Sequence, residues 1–284
     1  MAEAVQTIPR VFLGEALRQL RDSSKKTLDD AARAAGKDRA RLIKVLDGKA
    51  TLTAAELDAL VAFLEATPAQ REEIVALGVE ARKKPAGSLY MDLVEGSHRR
   101  VAWLEAMAHD IWQYEKGIYP HLLQSPTYVR ELMIGYRGIW WEGSEEELEN
   151  RVTYRLERQR QVFEADHPKQ VEIMFTADTL DAMVGGSEVM REQRGYVLDL
   201  MDQYPNLTVR IVPVETKGNP AQSGPLTMLR FGEALQPVGF LPTVYGPSAY
   251  YDRVTDTERI MRAFNKIREL AWSPEKTREH LEKG

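Results

Sequence analysis

The chain has no cysteine among its 284 residues, which excludes disulfides, thiolate nucleophiles and Cys-based zinc or iron–sulfur sites. Nor does any stretch approach the roughly 18 apolar residues that a membrane-spanning helix needs. The start, MAEAVQTIPR, has no charged segment followed by an apolar one, so no secretory signal is expected and the cytoplasm is the expected location. The five histidines (His98, His109, His121, His167, His280) stand apart, with neither HxxxH nor HExxH spacing to hold a metal. There is no G-x-S-x-G elbow, no Walker loop and no dinucleotide fingerprint after a strand. The expectation is a protein without cofactor, metal or enzymatic activity. What is present is the composition of a folded protein, 43% hydrophobic and 29% charged, at a length that suits two domains.

Charge divides unevenly along that length. The whole chain carries 38 basic and 43 acidic residues, a net of −5. Residues 18–49 alone hold 10 basic and 5 acidic, a net of +5, whereas residues 85–284 hold 23 and 30, a net of −7. A basic segment on an acidic protein is the layout of a small anion-binding module joined to something else.

Residues 1–84 read as a bundle of short helices. Leu13, Leu17 and Leu20 make one apolar stripe. Thr27 caps a helix carrying Leu28, Ala31, Ala32 and Ala35, which ends at Gly36; Asp38 caps the next, with Leu42, Val45 and Leu46 inward. Thr53 with Glu56 forms a capping box for a fourth helix, and Pro68 opens a fifth. Pro85-Ala86-Gly87-Ser88 then marks a linker. Residues 85–284 read as mixed α and β. The spacing predicts a helix from His98 to Glu115, another over 144–163, and a β–α–β crossover formed by 171–175, 187–203 and 207–212. Further strands are expected at 226–231 and 238–245, with a closing helix through Leu270. The fold class is therefore an all-α helix-turn-helix bundle followed by an α+β domain with a mixed sheet.

Helices 27–35 and 38–47, joined by a tight turn at Gly36, have helix-turn-helix proportions. The second would enter the major groove of double-stranded DNA and present Lys37, Arg39, Ala40, Arg41 and Lys44, with Lys49 beyond its end. Arg and Lys bond guanine edges and phosphates, while Ala40 offers only apolar contact. At Thr27 the helix N-terminus offers backbone N–H groups to a phosphate. One such motif reads only a half-site, so a homodimer is expected.

The segment LGEALRQLRDSSKKTLDDAARAAGKDRARLIKVLDGK resembles the Xre-type helix-turn-helix. LEAMAHDIWQYEKGIYPHLLQSPTYVREL, RLERQRQVF, TLDAMVGG and YPNLTVRIVP are similar, in order, to actinobacterial Xre-family regulators with a long C-terminal domain of unassigned, antitoxin-like function. That resemblance implies a transcriptional regulator, often encoded beside a small partner protein. The chain departs from the family at Lys37 and Leu46, where small or aliphatic and acidic residues are usual. Those two positions leave a second reading open, an antitoxin-like protein-binding module with weak or no sequence-specific DNA binding. An enzyme with an unrecognised site is the third.

In the second domain, Val101, Glu105, Ala108 and Trp112 share one helical face, so a carboxylate sits on an apolar stripe and needs a cationic partner. Helix 144–163 supplies Arg151, Arg155 and Arg158, with Gln159 continuing its stripe. Two roles stay open for Glu105, Arg155, Arg158 and Gln159: a buried polar pair that fixes packing, or an anchor inside a ligand pocket.

Overall fold

The computed structural model describes residues 6–83, 90–91, 98–232, 235–243 and 248–283 (90, 91, 98 and 99 as backbone). They fall into two compact units. One holds residues 6–83, the short strand β1 (Tyr90–Met91) and the returning segment Tyr250–Arg253; the other holds the remaining residues from His98 onward. The expected boundary at 84/85 lies outside the described residues.

The first unit is all-helical up to residue 83: α1 (Ile8–Ser24), α2 (Leu28–Ala34), α3 (Arg39–Leu46), α4 (Ala54–Phe63) and α5 (Pro68–Arg82). Thr27, Asp38, Thr53 and Thr67 each accept a hydrogen bond from the backbone N–H three residues on, satisfying helix donors that would otherwise be orphaned. Gly36 makes the α2–α3 turn at φ +62°, a left-handed conformation that favours glycine. Gly14 has a different reason to lack a side chain: a Cβ there would lie 2.1 Å from the Leu46 carbonyl oxygen, so α1 approaches the end of α3 backbone to backbone. Ile8, Phe12, Leu13, Leu17, Leu42, Val45, Leu57, Leu60 and Val61 form the buried core. The returning segment belongs to this unit in detail. Tyr250, in strand β7 (Ala249–Tyr251), meets Phe12 edge-on with centroids 5.4 Å apart, and Asp252 Oδ2 accepts the Ile8 N–H at 3.1 Å.

The second unit is built on a mixed sheet. Strands β2 (Asp110–Glu115), β3 (Gln170–Thr176), β4 (Leu207–Val212), β5 (Leu226–Arg230) and β6 (Val238–Leu241) lie in the order β6-β5-β2-β3-β4. β2–β3 and β3–β4 are parallel; β2–β5 and β5–β6 are antiparallel. Helix α9 (Ser187–Gln203) is the crossover from β3 to β4. Tyr114, Met174, Val212 and Met228 form a core on one face with Phe264 and Ile267 of α10 (Val254–Leu270).

Three departures from the sequence reading stand out. The single helix expected over 98–115 is a helix, α6 (His98–Met107), followed by β2. The helix stops because His109 N–H already bonds the Arg230 carbonyl at 2.7 Å and residues 110–115 gain ladder partners on both sides. The β-forming Ile111, Trp112 and Tyr114 suit that central position. Trp112 therefore does not share a helical face with Glu105. Two helices, α7 (Pro126–Tyr136) and α11 (Pro274–Lys283), were not expected at all. Of the strand expected at 238–245, the described part ends at Leu241, and residues 244–247 lie outside the described set.

Candidate nucleic-acid interface and the buried polar cluster

Helix α3 buries Leu42, Val45 and Leu46 and exposes Arg39, Ala40, Arg41, Ile43 and Lys44, with Lys49 exposed in the loop beyond. Asp38 holds the helix start by accepting the Arg41 N–H at 2.7 Å. The basic segment is not uniformly available, however. Arg18 pairs with Asp47, Arg33 with Asp30 and Lys26 with Glu65. Arg39 faces Asp29 loosely, at 3.7 Å. Arg41 donates only a long 3.4 Å bond to the Thr51 carbonyl, and Lys44 and Lys49 have no carboxylate partner among the described residues.

Two expected DNA-binding residues need correction. Lys37 precedes α3 rather than lying on it; it is half-buried, with Nζ 2.6 Å from Glu56 Oε1. Its charge is spent inside the unit because Glu56, fixed by its capping-box bond to the Thr53 N–H, lies within reach. Thr27 is exposed, but its hydroxyl donates to Asp30 Oδ2 at 2.6 Å and accepts the Asp30 N–H. With Asp29 and Asp30 in the first turn of α2, carboxylates already occupy the end offered to a phosphate. Ile43 also stands on the outer face of α3, which the sequence reading did not note. It is 39% exposed one turn from Ala40, and its signal was an apolar residue off the inward Leu42–Val45–Leu46 face.

The second unit brings the other candidates together. Strand alternation places Gln113 and Glu115 on one face of β2, opposite Tyr114. Helix α8 (Glu145–Phe163) turns Arg155, Arg158 and Gln159 to one side, and a 3-10 turn, His121–Leu123, lies near them. Glu105, 1% exposed on α6, takes Arg158 in a fork, Nε to Oε2 at 3.0 Å and Nη2 to Oε1 at 2.8 Å. His121 Nε2 stands 3.0 Å from the same Oε1, and its Nδ1 is 2.7 Å from Gln113 Nε2. The neutral tautomer with the proton on Nε2 satisfies both contacts. Burial and the neighbouring Arg158 charge hold His121 below the usual histidine range. Burial alone would raise the Glu105 carboxyl, but Arg158 and His121 outweigh it and hold it down at about 2.

Gln159 is a structural clamp. Its amide donates to the His121 and Gln124 carbonyls, both at 2.7 Å, and its oxygen accepts from Tyr196 at 3.1 Å. Arg155 is not bonded to Glu105; among the described residues its one bond is a 3.4 Å contact from Nη1 to Gln124 Oε1. Sequence reasoning did not find Gln113, Gln124, Tyr196 or Glu115. Gln124 and Tyr196 bond α8 side chains directly and Gln113 bonds His121, contacts that only the folded chain makes.

Residues 98–283 match a domain of unknown function, DUF5753. The chain belongs to the DUF5753 family. Residues 13–74, which include α2, the Gly36 turn and α3, match a helix-turn-helix domain. No curated protein matches the DUF5753 chain. Among solved structures, TrmBL2, described as an archaeal chromatin protein with a novel mode of DNA binding, matches at 14% identity and a TM-score of 0.32. The match covers 76% of this chain and 66% of that one, just under two thirds of its length. No helix among the described residues is long and apolar enough to cross a membrane.

Proposed function

We propose that this DUF5753 protein is a transcriptional regulator that reads double-stranded DNA through α3, in the manner of the Xre-type regulators it resembles. One observation carries the reading: a short, well-capped helix presents Arg39, Ala40, Arg41, Ile43 and Lys44 to solvent, while other cations nearby are already paired. Cations without carboxylates on a groove-sized helix suit a polyanion, and the apolar pair Ala40–Ile43 suits thymine methyl groups. The second unit is read as the sensing, assembly or partner-binding part of a homodimer that works in the cytoplasm without enzymatic activity. Support for that division is electrostatic, since residues 85–284, at net −7, are as a whole repelled by a polyanion. A gel-shift against the gene's own upstream region tests the reading. Specific retention that survives competitor DNA is the expected result, and retention lost to any competitor equally would leave the protein-binding alternative. Light scattering tests the dimer; a monomer both free and on DNA would remove it.

A further inference from the structure

A cavity of about 490 Å³, a size that suits a small molecule, opens between the 3-10 turn Ala177–Asp181 and the start of α9. Arg194, two turns into α9, forms part of its wall. Nη2 of that arginine donates to the Leu180 carbonyl at 2.6 Å, the one hydrogen bond of the guanidinium among the described residues. Nε is shut off from water with no partner at all. Close by, burial pushes the Tyr119 phenol up and the Arg194 charge only partly opposes it; the Tyr119 hydroxyl, 0% exposed, has no hydrogen-bond partner either. Two carboxylates share the rim of the cavity, but neither serves Arg194. Glu188 faces Arg191 at 3.7 Å, and Asp181 is exposed without an ion pair among the described residues. The result is a half-buried cation, partly desolvated and matched only by a neutral carbonyl, beside empty space.

The start of α9 adds to the same wall. Gly185 and Gly186 enter the helix at φ +66° and +93°, left-handed conformations, and Gly186 is an N-cap that brings no side-chain acceptor. First-turn N–H groups and the Ser187 hydroxyl therefore stand at the cavity beside the guanidinium. The rest of the lining decides which anion fits. Leu180, Met183 and Met190 give it an apolar side, with Met183 left 69% exposed. Asp181 and Glu188 repel a doubly charged phosphate more than a singly charged carboxylate, and a guanidinium edge matches a carboxylate in shape.

We infer that this cavity binds a small monocarboxylate with an apolar body, its charge against Arg194 and the start of α9, its body against Leu180, Met183 and Met190. Such a ligand is what the sensing role proposed above responds to, and the assignment rests on that role; its test uses no DNA, so each can fail alone.

The experiment is thermal unfolding of the full chain titrated with sodium hexanoate, with its neutral amide hexanamide, with sodium phosphate and with sodium chloride at matched ionic strength, for wild type, R194M, M183E and M183K. Wild type should show a saturable rise in midpoint with hexanoate, an apparent affinity roughly tenfold weaker for the amide, and no response to phosphate beyond chloride. R194M should lose the hexanoate response. Because it also loses the bond to Leu180, it is judged by that response and not by its own midpoint. The exposed Met183 tests the charge without touching the core: M183E should weaken hexanoate binding and M183K strengthen it, each about two- to fivefold. Should R194M fail to fold, these two variants decide. No response of wild type beyond chloride, equal responses to acid and amide, a response to phosphate in place of hexanoate, an undiminished response in R194M, or equal affinity in wild type, M183E and M183K would each overturn the proposal.

Discussion

The two units handle positive charge in opposite ways. In the helix-turn-helix unit, cations near the core are paired at short range and those on the outer face of α3 are left open to solvent. In the DUF5753 unit, Arg158 of α8 is turned inward instead, where it forks onto the buried Glu105 carboxylate. In water an unpaired arginine costs little and says little on its own; a buried carboxylate without a cation is expensive. The exposed set is therefore read from its arrangement on a helix, and the buried cation from the carboxylate it compensates.

The largest expected effect comes from breaking the buried pair. R158M leaves the Glu105 carboxylate desolvated and should cost about 3–5 kcal/mol in denaturant unfolding. The double variant E105L/R158M should recover much of that loss, because both charges go together. If the double variant is as unstable as the sum of the single ones, the pair is not the unit that matters.

Two carboxylates of the same unit should pull stability in opposite directions with pH. Glu105 is held at about 2 in the fold against an ordinary 4.5, so its contribution is present above 4.5 and disappears as pH falls toward 2. Glu115 is raised to about 7, so the native state binds the extra proton and stability falls as pH rises from 4.5 through 7. Each slope approaches 1.4 kcal/mol per pH unit at most, roughly, and partial exposure of Glu115 reduces its share. E115Q should flatten the upper limb and leave the acid limb intact, as read from unfolding free energies between pH 3 and 9.

On the exposed side, single substitutions should act on binding without moving stability. R39A or R41A should cost about 1–3 kcal/mol of discrimination at one base pair each. K44A or K49A should weaken all sequences alike and lower the slope of log K against log salt by about 0.9 per lost phosphate contact. Measuring both specificity and salt slope separates the two classes. A triple R39A/R41A/K44A variant that binds its site like wild type would remove α3 from the groove.

How much of this was legible in the sequence varied with the kind of signal. The capped helices of the first unit were readable because Thr27, Asp38, Thr53 and Gly36 are local devices that act within four residues. The crossover from β3 through α9 to β4 was readable from runs of β-branched and apolar residues around an amphipathic helix. Segment 98–115 misled because Val101 and Glu105 do lie on a helix, with Ala108 just past its end, while the change at His109 depends on Arg230, more than a hundred residues away. Ser125-Pro126 and Ser273-Pro274 are helix starts that went unread, although Ser125 Oγ and Ser273 Oγ both accept first-turn N–H groups. In the site, a cationic partner for Glu105 followed from the cost of burying a carboxylate; that it is Arg158, with His121 and Gln113 behind it, needed the packing of four elements.

The smallest expected effect tests the comparison most directly, because it concerns a cation that resembles the exposed set in sequence and the paired set in structure. Lys37 is already matched by Glu56, so K37A should change operator affinity less than about threefold and leave the salt slope unaltered. E56Q is the sharper variant. A glutamine at that position still accepts the Thr53 N–H and preserves the capping box, so α4 should keep its start. What changes is the charge, which frees Lys37 beside the recognition helix. Operator binding by E56Q should strengthen modestly at low salt, with a salt slope steeper by up to about one phosphate contact, and K37A placed on E56Q should cancel the gain. If K37A alone weakens binding as much as K44A does, Lys37 leaves Glu56 to reach the DNA, and the division between spent and open cations would not hold on the bound protein.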